Sequence, residues 1–219
     1  MRTAEEIREI SKAHRQKLLK CFADKTCKFA GKYKDLTKHE INAAILLSID
    51  RPAELCRFTR MQFSVLEQMI NQPQYKCFSV EKKNGGKREI NAPDWILKKV
   101  QKRLNYYLQA YYLCLKPEAV NGFTVNPHYL GKKCNIAENA KPHTGKRSVL
   151  NIDLKDFFQS IKAWQVKDIL VSEIFGYNEP ISTAITLLTT YQGGLPTGSP
   201  TSPAMRPTCS ASGNSSTAR

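Results

Sequence analysis

The fold prediction starts from the stretch Val149-Leu-Asn-Ile-Asp-Leu-Lys-Asp-Phe-Phe-Gln-Ser-Ile161. It begins with a mostly apolar run over residues 149–152, which predicts a buried strand. This strand would end at the carboxylate of Asp153, and a second carboxylate follows at Asp156. A carboxylate carried by a buried strand is costly unless it is paired or binds a metal ion. The alternative is a strand followed by a helix that Asp156 caps, because Asp is a favoured N-cap residue.

The charge is unevenly distributed around this stretch. The chain has a formal net charge of +15, and residues 1–150 hold 29 Lys/Arg against 14 Asp/Glu, so all the excess precedes Asp153. A basic half beside a neutral one predicts a track for a polyanion such as a nucleic acid, and this track would lead to a site. Such binding would weaken strongly with salt. The alternative is a solvated basic surface that binds no ligand.

The composition narrows the class of protein. The 219 residues are 41% hydrophobic, which is enough for a sizeable core in one or two domains. No stretch reaches the roughly 20 apolar residues that a membrane span needs, and the charged N-terminus is unlike a secretory signal. The seven cysteines form no Cys-x-x-Cys pair and have no histidine at zinc spacing, so we expect reduced thiols in a cytoplasmic protein.

Hydrophobic periodicity and turn signals predict the other elements. A capping box at Thr37-Lys-His-Glu40 opens one helix. Two short strands around Asn84-Gly85 predict a tight hairpin. The further predicted helices cover residues 3–23, Pro52 to Asn71, Pro93 to Leu115, Trp164 to Phe175, and Ile181 to Tyr191.

The hairpin and the helix after it carry exposed cations. The hairpin holds Lys82, Lys83, Lys87 and Arg88. Arg offers a planar fork to phosphate oxygens and Lys offers a movable point charge, so these side chains suit a phosphate ligand. A charged edge that prevents aggregation is the alternative. On the next helix, Lys98 and Lys102 lie off the apolar face, where they either follow a phosphate backbone or are merely solvated.

The 149–161 stretch resembles the first palm motif of reverse transcriptases, and most closely that of the retron and group II intron branch, with Gln159 in place of the usual Pro. The resemblance implies that Asp153 is a catalytic metal ligand with the Leu154 backbone beside it. It also implies that Asp156 and Phe157 lie near the incoming nucleotide and that Phe158 packs under its sugar, where it excludes a 2′-hydroxyl.

Three further segments resemble the same family. The hairpin resembles the fingers motif Lys-Lys-x-Gly-Gly-Lys-Arg, which implies that Arg88 and either Lys82 or Lys83 grip the triphosphate. The loop Gly193-Gly-Leu-Pro-Thr-Gly-Ser-Pro-Thr-Ser-Pro203 is similar to the next palm motif, so the nucleotide would lie against Thr197 and Gly198, although many relatives have Gln at 197. The Gly-Phe pair at Gly122 and Phe123 would lie against the template strand.

The resemblance implies an α+β fold made of polymerase fingers and a partial palm. The divisions would be residues 1–74 (N-terminal helices), 75–148 (fingers), 149–205 (partial palm) and 206–219 (a disordered or aberrant tail). It implies an RNA-directed DNA polymerase that extends a DNA primer on an RNA template with deoxynucleotides and Mg²⁺, or Mn²⁺ as an alternative. A structured non-coding RNA would be a further partner, and the retron branch implies a role in phage defence.

The resemblance stops after Met205. The family continues to a hairpin with Tyr-x-Asp-Asp, whereas the last acidic residue here is Glu179. Because two-metal nucleotide transfer needs several carboxylates, we expect weak or no polymerase activity from this chain as written. A frame-shifted or truncated end would account for the tail. The alternatives are an inactive RNA-binding fragment and a basic helical protein unrelated to polymerases.

Overall fold

The structure is a computed structural model that describes residues 1–21, 28–82, 85–115, 122 and 135–205. Within these ranges helices pack with one two-stranded antiparallel sheet, so the predicted α+β class is confirmed. In chain order the elements are α1 (Ala4–Ala13), α2 (Arg15–Cys21), α3 (Lys38–Leu47), α4 (Leu55–Thr59), α5 (Phe63–Asn71), β1 (Tyr75–Glu81), β2 (Lys87–Pro93), α6 (Trp95–Leu115), α7 (Ile136–Ala140), α8 (Phe157–Ser160), α9 (Ala163–Val171) and α10 (Glu179–Thr189).

The N-terminal helical region has one break that the sequence does not predict. A single helix is expected over residues 3–23, but the chain leaves helical geometry at His14, so this prediction is wrong at that point. The imidazole of His14 lies edge-on to the rings of Phe29 and Tyr33, at centroid distances of 5.5 and 5.1 Å. These ring contacts hold the break against the segment that follows α2.

The predicted start of α3 is confirmed, whereas the single helix predicted over Pro52 to Asn71 is wrong. At the start of α3, the Glu40 N–H donates to the Thr37 hydroxyl and the Thr37 N–H donates to the Glu40 carboxylate, which is the predicted capping box. The helix expected from Pro52 to Asn71 is interrupted because Arg60 adopts a left-handed conformation with φ of 53°. An L-residue in that region ends a right-handed helix, so α4 and α5 are separate.

The predicted hairpin is confirmed as β1 and β2, which pair antiparallel with Phe78 opposite Ile90 and Val80 opposite Arg88. Helix α6 follows directly, and the Asp94 carboxylate accepts a hydrogen bond of 2.8 Å from the Leu97 N–H at its start. α6 is the longest helix described, and one of its faces lies in the core. The hairpin is therefore connected directly to an element that is anchored in the core.

The segment between α9 and α10 is fastened to the N-terminal helices. The Tyr177 hydroxyl donates to the Leu46 carbonyl at 2.7 Å, and the Arg8 guanidinium donates to the Glu173 carbonyl at 2.7 Å. One hydrophobic core contains residues from α1, α3, α6, α9 and α10. The helices that precede the hairpin and those that follow residue 160 therefore share a core.

Three further expectations concern the cysteine thiols, membrane-spanning segments and the C-terminal tail. Cys56, Cys77 and Cys114 carry free thiols, but Cys21 is in a disulfide, so the expectation of reduced thiols throughout is wrong at Cys21. Within the described ranges, the helices are too short or too polar to cross a bilayer. The predicted tail, 206–219, lies outside the described residues.

Candidate functional site

The hairpin presents cations that have no counter-ion among the described residues, and Lys82 and Arg88 are two of them. Arg88 is exposed on β2, and Lys82 is exposed where β1 ends. Neither side chain takes part in an ion pair or hydrogen bond within the part of the chain that the structure describes. The turn between them closes through the Lys82 N–H, which donates to the Gly86 carbonyl at 2.9 Å. Unpaired cations at the end of a hairpin suit a polyphosphate ligand. Lys83 lies outside the described residues.

The glycine- and proline-rich loop 193–203 lies against the outer edge of β2. The Thr197 hydroxyl donates to the Glu89 carbonyl at 2.9 Å and accepts from the Asn91 N–H at 3.3 Å. The Gly198 N–H donates to the Asn91 carbonyl at 3.2 Å. The structure therefore brings together the predicted residues Arg88, Thr197 and Gly198 through the backbone of one strand.

Glycine is required at position 198 by this contact. A Cβ there would lie 2.8 Å from the Asn91 carbonyl oxygen and 2.9 Å from the Ala92 Cα, and both of these atoms belong to backbone. The family resemblance implies that Gly198 lets the backbone approach the nucleotide, whereas the group that Gly198 approaches in the structure is the backbone of β2. A methyl side chain would push the loop away from the strand.

A buried polar network supports the hairpin and the loop from below. Gln101 of α6 is fully buried, and its amide donates to the Tyr75 hydroxyl at 2.9 Å and to the Leu188 carbonyl at 2.8 Å. Its oxygen accepts from the Ser199 hydroxyl at 2.8 Å. Burial raises the pKa of Tyr75 to about 12, although the hydrogen bond from Gln101 acts the other way, and Tyr75 stacks on Tyr191 at 4.2 Å.

Sequence reasoning missed Gln101, although a signal was present. Its neighbours on the same helix face, Leu97, Leu104 and Leu108, are all buried. A polar residue in the middle of an apolar stripe is expected to have hydrogen-bond partners inside the protein. The position of Gln101 on that stripe was the available signal for a network beneath the hairpin.

The predicted strand at residues 149–152 is wrong. This segment is irregular, and Leu150 and Ile152 are 82% and 72% exposed. Among the described residues, β1 and β2 are the only strands, and neither pairs with this segment. An extended segment without a neighbouring strand has no ladder for its backbone groups and no facing layer for its side chains, so it stays in solvent.

The two predicted carboxylates are therefore on the surface. Asp153 and Asp156 are both exposed, and neither forms an ion pair with another described residue. Asp156 precedes α8 in a left-handed conformation with φ of 49°, and its side chain makes no capping hydrogen bond. The alternative interpretation of Asp156 as the residue before a helix is correct in position, but the side-chain cap is absent.

The residues present do not fit a complete metal centre. No group of three or more His, Cys, Asp or Glu side chains that could hold a metal occurs in the described ranges. Asp153 and the Leu154 carbonyl could offer oxygen ligands of the kind that Mg²⁺ prefers. One carboxylate cannot hold two ions, because two-metal sites share several carboxylates.

The remaining predicted site residues are half-buried, exposed or outside the described residues. Phe157 and Phe158 are half-buried against the core, with ring centroids 6.3 Å apart. Lys98 and Lys102 are exposed on α6, whereas the neighbouring Arg103 donates to the Thr59 carbonyl. Lys98 and Lys102 are thus available to a phosphate backbone. Gly122 is exposed and Phe123 lies outside the described residues.

Comparison with known proteins gives a consistent result. The Retron Ec86 reverse transcriptase of Escherichia coli is 33% identical over 156 residues, which cover 68% of this chain and 45% of the relative. The Retron Mx65 and Mx162 reverse transcriptases of Myxococcus xanthus are 35% and 30% identical over 53% and 59% of this chain. The chain covers only 25% and 28% of these two proteins, so it spans less than half the length of these three relatives. No protein-family model matches the chain.

Proposed function

This chain is a relative of the retron reverse transcriptases, and we propose that it serves RNA-directed DNA synthesis by binding an incoming deoxynucleotide on a primed RNA template. One observation carries the proposal. The hairpin with the unpaired cations Lys82 and Arg88 is hydrogen-bonded to the loop at Thr197 and Gly198. The nucleotide would lie where these segments meet.

The triphosphate is the group that this arrangement suits best. The Arg88 guanidinium can donate two parallel hydrogen bonds to phosphate oxygens, and Lys82 adds a mobile positive charge. Cations that lie beside a transferring phosphoryl group stabilise the negative charge that this group carries in the transition state. Since both side chains lack counter-ions among the described residues, a polyphosphate ligand would not have to displace one.

The RNA template and the DNA primer are the proposed polymeric partners, and a structured non-coding RNA is a third. Support comes from the excess positive charge, which precedes residue 151, and from the exposed side chains of Lys98 and Lys102. Binding through such groups releases counter-ions, so affinity falls steeply as salt rises. Gly122 and Phe123 are proposed to contact the template strand.

Asp153 is the proposed catalytic carboxylate, with the Leu154 carbonyl beside it. Magnesium is the proposed ion, and it would supply charge neutralisation and activation of the primer hydroxyl. The described residues do not complete such a centre, so we assign no step to the ion. Asp156, Phe157 and Phe158 are proposed to surround the nucleotide, with Phe158 under the sugar.

Triphosphate binding tests the nucleotide site directly. Titration of the purified chain with a fluorescent deoxynucleoside triphosphate should give saturable binding, which Arg88→Ala weakens about tenfold or more, in line with the loss of a charge-assisted hydrogen bond. Arg88→Lys should recover part of the affinity, because it keeps the charge but not the fork. Lys20→Ala, at an exposed lysine of α2, is the control and should bind like the wild type. Equal binding by all variants would refute the proposed grip.

Primer extension separates synthesis from binding alone. Incorporation on a primed RNA template with Mg²⁺ that is abolished by Asp153→Ala would establish polymerase activity. The second candidate, an inactive RNA-binding fragment, is favoured by the exposure of Asp153 and by the absence, in the described ranges, of a group of side chains that could hold a metal ion. It predicts no incorporation, together with salt-sensitive RNA binding that Asp153→Ala leaves unchanged.

A further inference from the structure

The outer edge of β2 has hydrogen-bonding groups that β1 does not use. In an antiparallel pair, alternate residues of a strand direct their N–H and C=O groups toward the partner or away from it. Glu89 and Asn91 bond loop 193–203, so their backbone groups point away from β1. An edge of this kind needs a cover, and here the loop provides it.

Thr197 covers this edge with one side-chain atom. Its oxygen accepts from the Asn91 N–H and its hydrogen is donated to the Glu89 carbonyl, so a single hydroxyl bridges two positions of β2. A hydroxyl has one donor and two acceptor sites, and the donor is therefore fully used by the strand. The next residue, Gly198, adds a backbone hydrogen bond to Asn91 and approaches too closely for any side chain.

We propose that Thr197 is a positioning residue, whose hydroxyl fixes the register of loop 193–203 on β2 and so holds Arg88 in the orientation that binds the triphosphate. This inference rests on the proposed function. Arg88 is adjacent to Glu89 in the chain and pairs with Val80 on the other side. The strand segment that carries the guanidinium is then held from both edges, by β1 and by the Thr197 hydroxyl.

The physical consequence is pre-organisation. If β1 alone held β2, the hairpin would move relative to α6, and each ligand that binds would have to immobilise it at a cost in free energy. With Thr197 in place the backbone of the strand that carries Arg88 is already held on both edges when the ligand arrives. The loss of the hydroxyl should therefore weaken triphosphate binding through Arg88, although Thr197 itself donates its only hydrogen to the protein.

Three variants test this inference. Thr197→Val keeps the shape and removes the hydroxyl, Thr197→Ser keeps the hydroxyl, and Gly198→Ala forces the loop away by a backbone clash. Thr197→Val and Gly198→Ala should weaken triphosphate binding about three- to tenfold, as expected for one or two lost hydrogen bonds. Thr197→Ser should bind like the wild type. Amide hydrogen exchange at Asn91 should accelerate in Thr197→Val, while the urea midpoint of unfolding stays close to that of the wild type.

The decisive comparison is made without Arg88. In the Arg88→Ala background, Thr197→Val should cause no further loss of triphosphate affinity, because the positioned group is absent. An equal loss in both backgrounds would overturn the inference and make Thr197 a direct nucleotide contact. Unchanged exchange at Asn91 in Thr197→Val would overturn it as well. If the wild type binds no triphosphate, the proposed function fails, and the exchange measurement still decides whether Thr197 fixes the loop.

Discussion

The substitution Gln101→Met removes the network beneath the hairpin and nearly preserves the side-chain volume. Methionine matches glutamine in length and helix propensity, so α6 itself should be unaffected. The variant loses three hydrogen bonds, to Tyr75, Leu188 and Ser199. We expect it to unfold more easily than the wild type and to loosen the hairpin at its base.

The expected loss in unfolding free energy depends on which hydrogen bonds each of the three partners keeps in Gln101→Met. The Leu188 carbonyl belongs to the last turn of α10, where carbonyls have no partner within the helix, so its desolvation costs about 1–3 kcal/mol. The Tyr75 hydroxyl loses one hydrogen bond, worth about 1 kcal/mol. Ser199 retains its contact of 2.8 Å with Thr201 and loses little. The sum is about 2–4 kcal/mol, a large share of the roughly 5–15 kcal/mol typical of a folded domain.

Urea unfolding measures this difference. With a denaturant slope of about 1–3 kcal/mol per molar, the midpoint should fall by on the order of 1 M. Gln16→Met, at an exposed glutamine of α2, is the matched control and should stay within about 0.5 kcal/mol of the wild type. Tyr75→Phe should cost about 1 kcal/mol alone and nearly nothing on top of Gln101→Met. If Gln101→Met unfolds like Gln16→Met, the network does not stabilise the protein.

Three other predictions concern burial and charge. Leu150→Ser should change the free energy of unfolding by less than about 0.5 kcal/mol, because Leu150 is exposed. Leu170→Ala, at a buried leucine, should lower it by about 2–5 kcal/mol. If urea unfolding shows that both substitutions destabilise the protein equally, Leu150 is not exposed. Tyr177→Phe should cost about 1–3 kcal/mol in the same assay, because the buried Leu46 carbonyl loses its donor, and no measurable change would argue against that hydrogen bond. Burial raises the pKa of Glu54, but hydrogen bonds from the Asp50 N–H and Arg15 outweigh it, so the pKa lies below its ordinary value of 4.5. A carboxyl group with a lowered pKa stabilises the folded state above pH 4.5, and this stabilisation is lost as the pH falls through the lowered pKa. The difference in unfolding free energy between the wild type and Glu54→Gln should therefore shrink as the pH is lowered below 4.5. A difference that stays constant with pH would refute this prediction.

Local signals predicted local structure well. The capping box at Thr37, the hairpin around Asn84-Gly85 and the helix after Asp94 are all governed by residues close together in the chain, and the structure confirms each as far as it describes them. The breaks at His14 and Arg60 were missed, because a helical apolar stripe continues through a single residue that leaves helical geometry.

Long-range structure was beyond such signals. An apolar run such as 149–152 predicts a strand only if another strand lies beside it, and no residue within the run reports on that neighbour. For the same reason the hydrogen bonds of Thr197 to β2, more than a hundred positions earlier, could not be read from the loop. The hairpin and its cations were found because both belong to one contiguous segment.

The bond between Tyr177 and Leu46 spans 131 positions, and that between Arg8 and Glu173 spans 165. During synthesis on the ribosome, the two partners of each bond are therefore made at different times. At roughly 5–20 residues per second, the first helices emerge on the order of 10 s before the segment that completes their core. During that interval α1, α3 and α6 can pack on one another, but the part of the core that α9 and α10 supply is missing. The hydrophobic core of this protein is therefore completed only after α9 and α10 have been synthesised.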